Sequence, residues 1–159
     1  MSQERAFQDQ GATTLCYGCG PANDRGLQIK SWWDGDDAVG IWTAEPHHCG
    51  GTREVVNGGI IATLLDCHSM NLAIARAYLD EQRPIGSAPR VFFVTANISI
   101  NYRRPTPLGK PLGLRATVRR VEGRKTFVTC TLSYEEQVCA DATVLAIRIH
   151  RDESIEPTR

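Results

Sequence analysis

The sequence predicts an α+β domain in which one long apolar helix is wrapped by a curved antiparallel sheet of five to six strands. Three observations predict it. The apolar segment from Gly58 to about Leu79 is too long for a strand and rich in helix formers. The segments after it switch to period-two alternation and are joined by short turns, which favour antiparallel pairing. A single helix that is apolar on most sides needs a sheet curved around it before it can be buried. With 159 residues, 42% of them hydrophobic and 23% charged, the chain has the size and composition of one globular domain. Such a domain can hold a core without disulfides or a metal.

Taken in order, residues 1–14 show no periodicity and are expected to be loose. Residues 15–26, LCYGCGPANDRG, are rich in Gly, Pro, Asn and Asp and should turn. LQIKSWW (27–33) and AVGIWTA (38–44) read as two strands joined by the hairpin turn Asp34-Gly35-Asp36-Asp37. Pro46 to Glu54 is a loop. Asn57 is a suitable N-cap for the helix, because its side-chain oxygen can accept from the first free N–H groups. Charge returns at Arg76, Asp80 and Glu81, where the helix should emerge.

After a Pro/Gly-rich loop, VFFVTANISINYRR (91–104) is a long strand, and RPTPLGKP (104–111) interrupts it. Residues 112–122, 125–136 and 138–150 are three more strands. The domain therefore runs over 15–150, and the polar residues 151–159 are expected to be a flexible tail. One helix on one sheet leaves an edge strand and an outer face uncovered. Pairing with another copy would cover them, so a homodimer or larger assembly is expected.

Eighteen basic residues balance eighteen acidic ones. That argues against a dedicated nucleic-acid binder, which carries a basic excess. No apolar run is read as reaching the ~18 residues of a membrane span. The first ten residues, MSQERAFQDQ, lack a signal-peptide core. A cytoplasmic protein with no membrane or nucleic-acid partner is expected. The six cysteines are then reduced thiols, and Cys67, Cys130 and Cys139 fall in apolar or strand-like stretches as small buried hydrophobes.

Asp66 is the residue that asks for a function. It lies between Leu65 and Cys67 in the most apolar segment, where an unpaired carboxylate costs several kcal/mol. Helical spacing puts Gly59, Thr63, Asp66 and Met70 on one narrow face. That face joins a carboxylate to a helix N-terminus with bare glycine backbone at Gly58 and Gly59. Unpaired N–H groups there suit an oxyanion developing at a carbonyl. A carboxylate could take a proton from water or attack directly, and burial should raise its pKa. The same spacing also fits an aspartate that is solvated or satisfied by a neighbouring Ser or Thr.

The segment VVNGGIIATLLDCHS (55–69) resembles the helix motif of hotdog-fold acyl-CoA thioesterases of the phenylacetate-degradation type, in the 4-hydroxybenzoyl-CoA thioesterase superfamily. CYGCGPANDRGLQIK (16–30) and NISINYRRPTPLGKPL (97–112) are similar to further segments of that family, so the likeness covers roughly 16–150. The resemblance implies a hotdog fold and hydrolysis of an acyl-CoA to the free acid and coenzyme A. It implies no cofactor and no metal, coenzyme A being part of the substrate. It places Asp66 at the general base or nucleophile and Gly58, beside Gly59, at the amide that polarises the carbonyl. Asn57 stands where many members have His, and Thr95 near a Ser or Thr that orients water. Gly51 stands where some relatives carry a polar amide, with His48 the nearest replacement.

The resemblance also implies a site at a dimer interface, in a homodimer or dimer of dimers. Coenzyme A phosphates would lie near Arg103, Arg104, Arg124 and Lys125, with Arg119 and Arg120 as further candidates. Trp32, Trp33, Phe92 and Phe93 line a pocket or fill the core.

Alternatives keep the fold and change the chemistry: a non-catalytic acyl-CoA-binding protein, a dehydratase with His48 or a partner histidine, or an oligomeric module without activity. Cys16-x-x-Cys19 with His47, His48 and Cys49 has the spacing of a zinc pair but lacks a second C-x-x-C. No metal is expected. His68 lies about 200° around the helix from Asp66, so it cannot form a dyad with it and should pack.

Overall fold

The computed structural model describes residues 5–11 and 14–150. The expected architecture is present: one long helix cradled by a six-stranded sheet. The strands are β1 (Trp32–Asp34), β2 (Asp37–Thr43), β3 (Phe92–Tyr102), β4 (Pro111–Glu122), β5 (Lys125–Tyr134) and β6 (Gln137–Ile149). The helix α1 (Gly58–Asp80) lies between β2 and β3 in the chain. The sheet order is β1-β2-β4-β5-β6-β3, with every neighbouring pair antiparallel. The excursion through α1 thus carries the chain from one side of the sheet to its far edge.

Hairpin chemistry sets the register. Asp34 pairs with Asp37 across Gly35-Asp36, and Gly35 takes a φ of +63°. The two carboxylates would repel. Arg115 on β4 bridges them, at 2.5 Å from Asp34 and 2.8 Å from Asp37. Glu122 pairs with Lys125 across Gly123-Arg124, where Gly123 has a φ of +58°. At both turns the first residue has a positive φ, which glycine adopts without steric cost.

The core sits between α1 and the concave sheet face. Leu64, Leu65 and Leu72 of the helix are fully buried with Leu112, Val128, Leu132 and Ala140 of the sheet. Truncating a leucine in such a core costs about 2–5 kcal/mol. By length and composition α1 could also cross a bilayer, and in this fold its apolar side faces the sheet. Its other face, with Gly58, Gly59, Thr63, Asp66 and Met70, is exposed or half-buried.

Two regions differ from the expectation. The strand expected at 27–33 begins only at Trp32, because the backbone before it is used elsewhere. Leu27 and Ile29 donate to the Tyr17 and Gly18 carbonyls at 2.8 and 3.0 Å, and the Trp42 indole donates to the Leu27 carbonyl at 2.8 Å. Gln28, with φ +53°, breaks the extended run. Residues 27–31 therefore clamp the 15–20 turn against the domain. The N-terminal residues expected to be loose also make contacts. Phe7 is buried against Trp33 with ring centroids 4.8 Å apart, and its N–H donates to Ser31. Residues 1–4, 12–13 and 151–159, including the tail expected to be flexible, lie outside the described residues.

β3 carries a bulge. Thr95 pairs with Ala146 and Asn97 with Leu145, so Ala96 is an extra residue. One edge of β3 pairs with β6; no other described strand pairs along its second edge. Most of its residues are exposed.

Candidate active site

The helix N-terminus is built by Asn57. Its Oδ1 accepts from the Gly59 N–H at 2.7 Å and from the Ile60 N–H at 3.4 Å. An Asn cap of this kind contributes about 1 kcal/mol. The Asn57 N–H donates to the His48 carbonyl at 2.9 Å, which ties the helix entry to the preceding loop. Gly59 is thus committed to the cap. The Gly58 N–H has no acceptor among the described residues. On the opposite side, the Tyr102 hydroxyl donates to the Gly58 carbonyl at 2.8 Å. Sequence reasoning passes over Tyr102, because only the β3 register brings it to the helix start.

Two turns further along, Asp66 is half-buried and meets β3. Thr95 Oγ1 donates to Asp66 Oδ1 at 2.7 Å. The bulge at Ala96 lets this happen: Thr95 faces the helix, and so do Ile98 and Ile100 beyond it. Asp66 Oδ2 has no protein donor among the described residues. Burial pushes the Asp66 pKa up from the ordinary aspartate value; the Thr95 hydrogen bond opposes this, and negative charge at Cys16 adds to it. The group is a carboxylate with one oxygen held, one oxygen free and a raised basicity.

His68 lies on another side of the helix and is fully buried. Its Nε2 meets the Ala38 carbonyl at 3.0 Å, which requires an N–H there, so Nδ1 accepts from Ser31 Oγ at 2.8 Å. Gln8 completes the network with bonds of 3.0 and 2.9 Å to the Ser31 hydroxyl and amide. Burial lowers the His68 pKa to about 4. His68 is packed and neutral, with no hydrogen bond to Asp66.

His48 caps its own loop. Its Nδ1 accepts from the Glu45 N–H at 2.9 Å, and its ring packs on Trp42. Burial and the neighbouring His47 lower its pKa. Gly51 is exposed, at a φ of +89°. The two residues approach the helix only through the main chain of the 48–57 loop.

The expected basic residues divide by partner. Arg103 is paired with Asp141, and Arg120 with Glu122 while stacked on Phe127. Arg104, Arg124 and Lys125 are exposed and have no ion-pair partner among the described residues. The sheet register places Arg124 and Lys125 at the Thr95 end of β3, since Ala146 pairs with both Thr95 and Thr126. Arg103 and Arg104 follow β3 at the Tyr102 end. Phe92 and Phe93 line a cavity of about 160 Å³ with Ile74, Tyr78 and Val91. Trp33 is partly buried against the core and borders a second, open pocket with Phe7 and Ile85.

The Cys16–Cys19 pair does not gather His47, His48 and Cys49. Among the described residues its third partner is Cys67, reached because the 15–20 turn is clamped onto α1.

Comparison with known proteins agrees with this fold. Residues 54–140, which contain the helix and most of the sheet, match the family model of the Thioesterase superfamily. The chain is 31% identical over 104 residues to the acyl-coenzyme A thioesterase THEM4 of Mus musculus, covering 64% of this chain and 39% of that protein. It is 35% identical over 65 residues to the long-chain acyl-CoA thioesterase FadM of Escherichia coli, covering 40% of this chain and 49% of that one. The chain thus spans less than half the length of these curated relatives. A thioesterase superfamily protein from Shewanella loihica superposes with a TM-score of 0.63 at 32% identity, covering 81% of this chain and 97% of that one. Escherichia coli PaaI shares the fold, with a TM-score of 0.64 at 18% identity over 78% of this chain and 81% of its own. One long helix wrapped by a six-stranded antiparallel sheet of this order is the hotdog fold, and the chain belongs to the thioesterase superfamily.

Proposed function

We propose that the protein hydrolyses an acyl-CoA thioester to the free carboxylic acid and coenzyme A. The observation that carries this reading is the Asp66–Thr95 pair, a raised-pKa carboxylate with one oxygen anchored and the other free. In the reaction, Asp66 Oδ2 takes a proton from water as the water oxygen bonds to the carbonyl carbon. Alternatively Asp66 attacks that carbon itself, and water then cleaves the resulting anhydride. In either route the C–S bond breaks and the thiolate leaves with coenzyme A. The oxyanion is stabilised by the Gly58 N–H, since the Gly59 amide is already used by Asn57.

Helix geometry adds a requirement. Eight residues at 1.5 Å each separate Gly58 from Asp66 by about 12 Å. One carbonyl cannot lie about 3 Å from both. A second copy resolves this if the free edge of β3 pairs with itself antiparallel. The Thr95 end of one strand then faces the Tyr102 end of the other, bringing the carboxylate of one copy toward the amide of its partner. The exposed β3 edge supports such a homodimer. The unpaired Arg104, Arg124 and Lys125 suit the nucleotide phosphates of coenzyme A.

The test is release of free thiol from acyl-CoAs of short, medium, long and aromatic acyl groups, with wild type and Asp66→Asn compared. Turnover by wild type and loss of about 10²–10⁴-fold in the variant is expected for removal of a general base. Saturable binding without turnover would replace hydrolysis with ligand binding. Undiminished turnover in Asp66→Asn would overturn the mechanism.

A further inference from the structure

Three cysteines that the hydrolytic reading does not use meet beside α1. The 15–20 turn lays Cys16 and Cys19 against Cys67, and the three sulfurs lie within 4.8 Å of one another. Cys16 Sγ is 3.8 Å from Cys67 Sγ, across 51 residues of sequence. All three are free thiols, and that distance is far longer than the ~2.05 Å of a disulfide. It matches a tetrahedral zinc–thiolate site, where metal–sulfur bonds of about 2.3 Å set the sulfurs about 3.8 Å apart.

The surroundings are those of a thiolate cluster. Asn71 Nδ2 donates to Cys19 Sγ at 3.2 Å and to the Cys67 carbonyl at 2.8 Å. Donors of this kind are the outer partners that orient sulfur ligands. The close approach depends on Gly18, where a Cβ would sit 2.3 Å from Cys67 Sγ.

We propose that Cys16, Cys19 and Cys67 form a binding site for a thiophilic divalent cation of the zinc class. Cys16 is exposed, so solvent supplies the fourth ligand on that side. Binding makes three metal–sulfur bonds, and the thiol protons pass to solvent; no electron is transferred. The cation fastens the N-terminal turn to the helix one residue from Asp66. The site stands independently of the hydrolytic reading, since no step of hydrolysis passes through it.

The full chain, purified and reduced under anaerobic conditions, is titrated with Co²⁺ and then with Zn²⁺. Expected are one Co²⁺ per chain, thiolate-to-cobalt charge-transfer absorption with tetrahedral d–d bands, and displacement by Zn²⁺ with a rise in Tm. Cys16→Ser and Cys19→Ser each abolish the charge-transfer band, with folding checked by circular dichroism. Cys49→Ser, outside the cluster, keeps it. Absence of the band in the reduced chain, or its persistence in both Cys16→Ser and Cys19→Ser, overturns the proposal. So does a chain that refuses metal when reduced but forms a Cys16–Cys67 disulfide when oxidised, since the cluster would then be a redox pair.

Discussion

Asp66 and His68 are two residues apart on one helix, and the fold treats them in opposite ways. His68 points into the core, where Ser31 and Ala38 occupy both ring nitrogens and Gln8 closes the network. Asp66 points to the half-open face, where Thr95 occupies one oxygen. The closed network has no valence left for a substrate and contributes rigidity. The open pair leaves one carboxylate oxygen unused, which costs stability and, in the proposed reaction, supplies the base. Full satisfaction marks a structural polar group and partial satisfaction a chemical one, although helix position alone makes the two look alike.

The sharpest way to break this contrast is to delete each residue in turn. Asp66→Asn should reduce kcat by about 10²–10⁴-fold while Tm holds or rises, because a half-buried charge has been removed. His68→Ala should leave kcat per folded molecule within a few-fold. It should cost about 3 kcal/mol in urea unfolding, since it strands the Ser31 hydroxyl and the Ala38 carbonyl. The reverse pattern would mean the roles are exchanged.

Acid separates the pair next. Below pH 6.5 the unfolded chain binds a proton at His68 that the folded chain refuses until about pH 4. Stability is therefore lost as pH falls through that window, by up to about 3 kcal/mol. Asp66 acts with the opposite sign. Its folded pKa is raised above the ordinary 3.8, so its contribution is full below that value and lost as pH rises through the folded pKa. Activity should climb over that same rise, as the base ionises. Urea midpoints and kcat/KM measured across the range read the two separately.

Smaller effects sharpen the reading of the open pair. Thr95→Ala should lower kcat about tenfold and move the rise of activity to higher pH, because the bond that favours ionised Asp66 is gone; Thr95→Ser should restore both. Asn57→Ala should cost about 1 kcal/mol of stability by uncapping α1, read as a lower Tm.

Much of this was legible in the sequence. Asn57, Gly58 and the apolar run to about Leu79 marked the helix, because capping and helix formation are local. Asp66 stood out because a carboxylate in an apolar run is costly anywhere. The turns at Gly35 and Gly123 announced the hairpins for the same local reason. What stayed hidden was set by distant backbone. Residues 27–31 have the composition of a strand, but their amides bond to Tyr17 and Gly18. The partner of Cys16 and Cys19 was Cys67 rather than the nearer-looking His47, His48 and Cys49, because that same clamp carries the turn to the helix. Tyr102 reached Gly58 only through a strand register that no local pattern encodes.

The extra residue at Ala96 works like a comma in a message read two letters at a time. Ahead of it the odd-numbered Thr95 faces the helix, and after it the even-numbered Ile98 and Ile100 do. Ironing out the bulge, with Ala96 kept and forced into regular pairing, would change the sense. With Ile98 and Ile100 still seated in the core, Thr95, three residues before Ile98, would then be turned to the far side of the sheet and Asp66 would lose its partner. Deleting Ala96 instead would leave Thr95 two residues before Ile98, where plain alternation keeps it on the helix side.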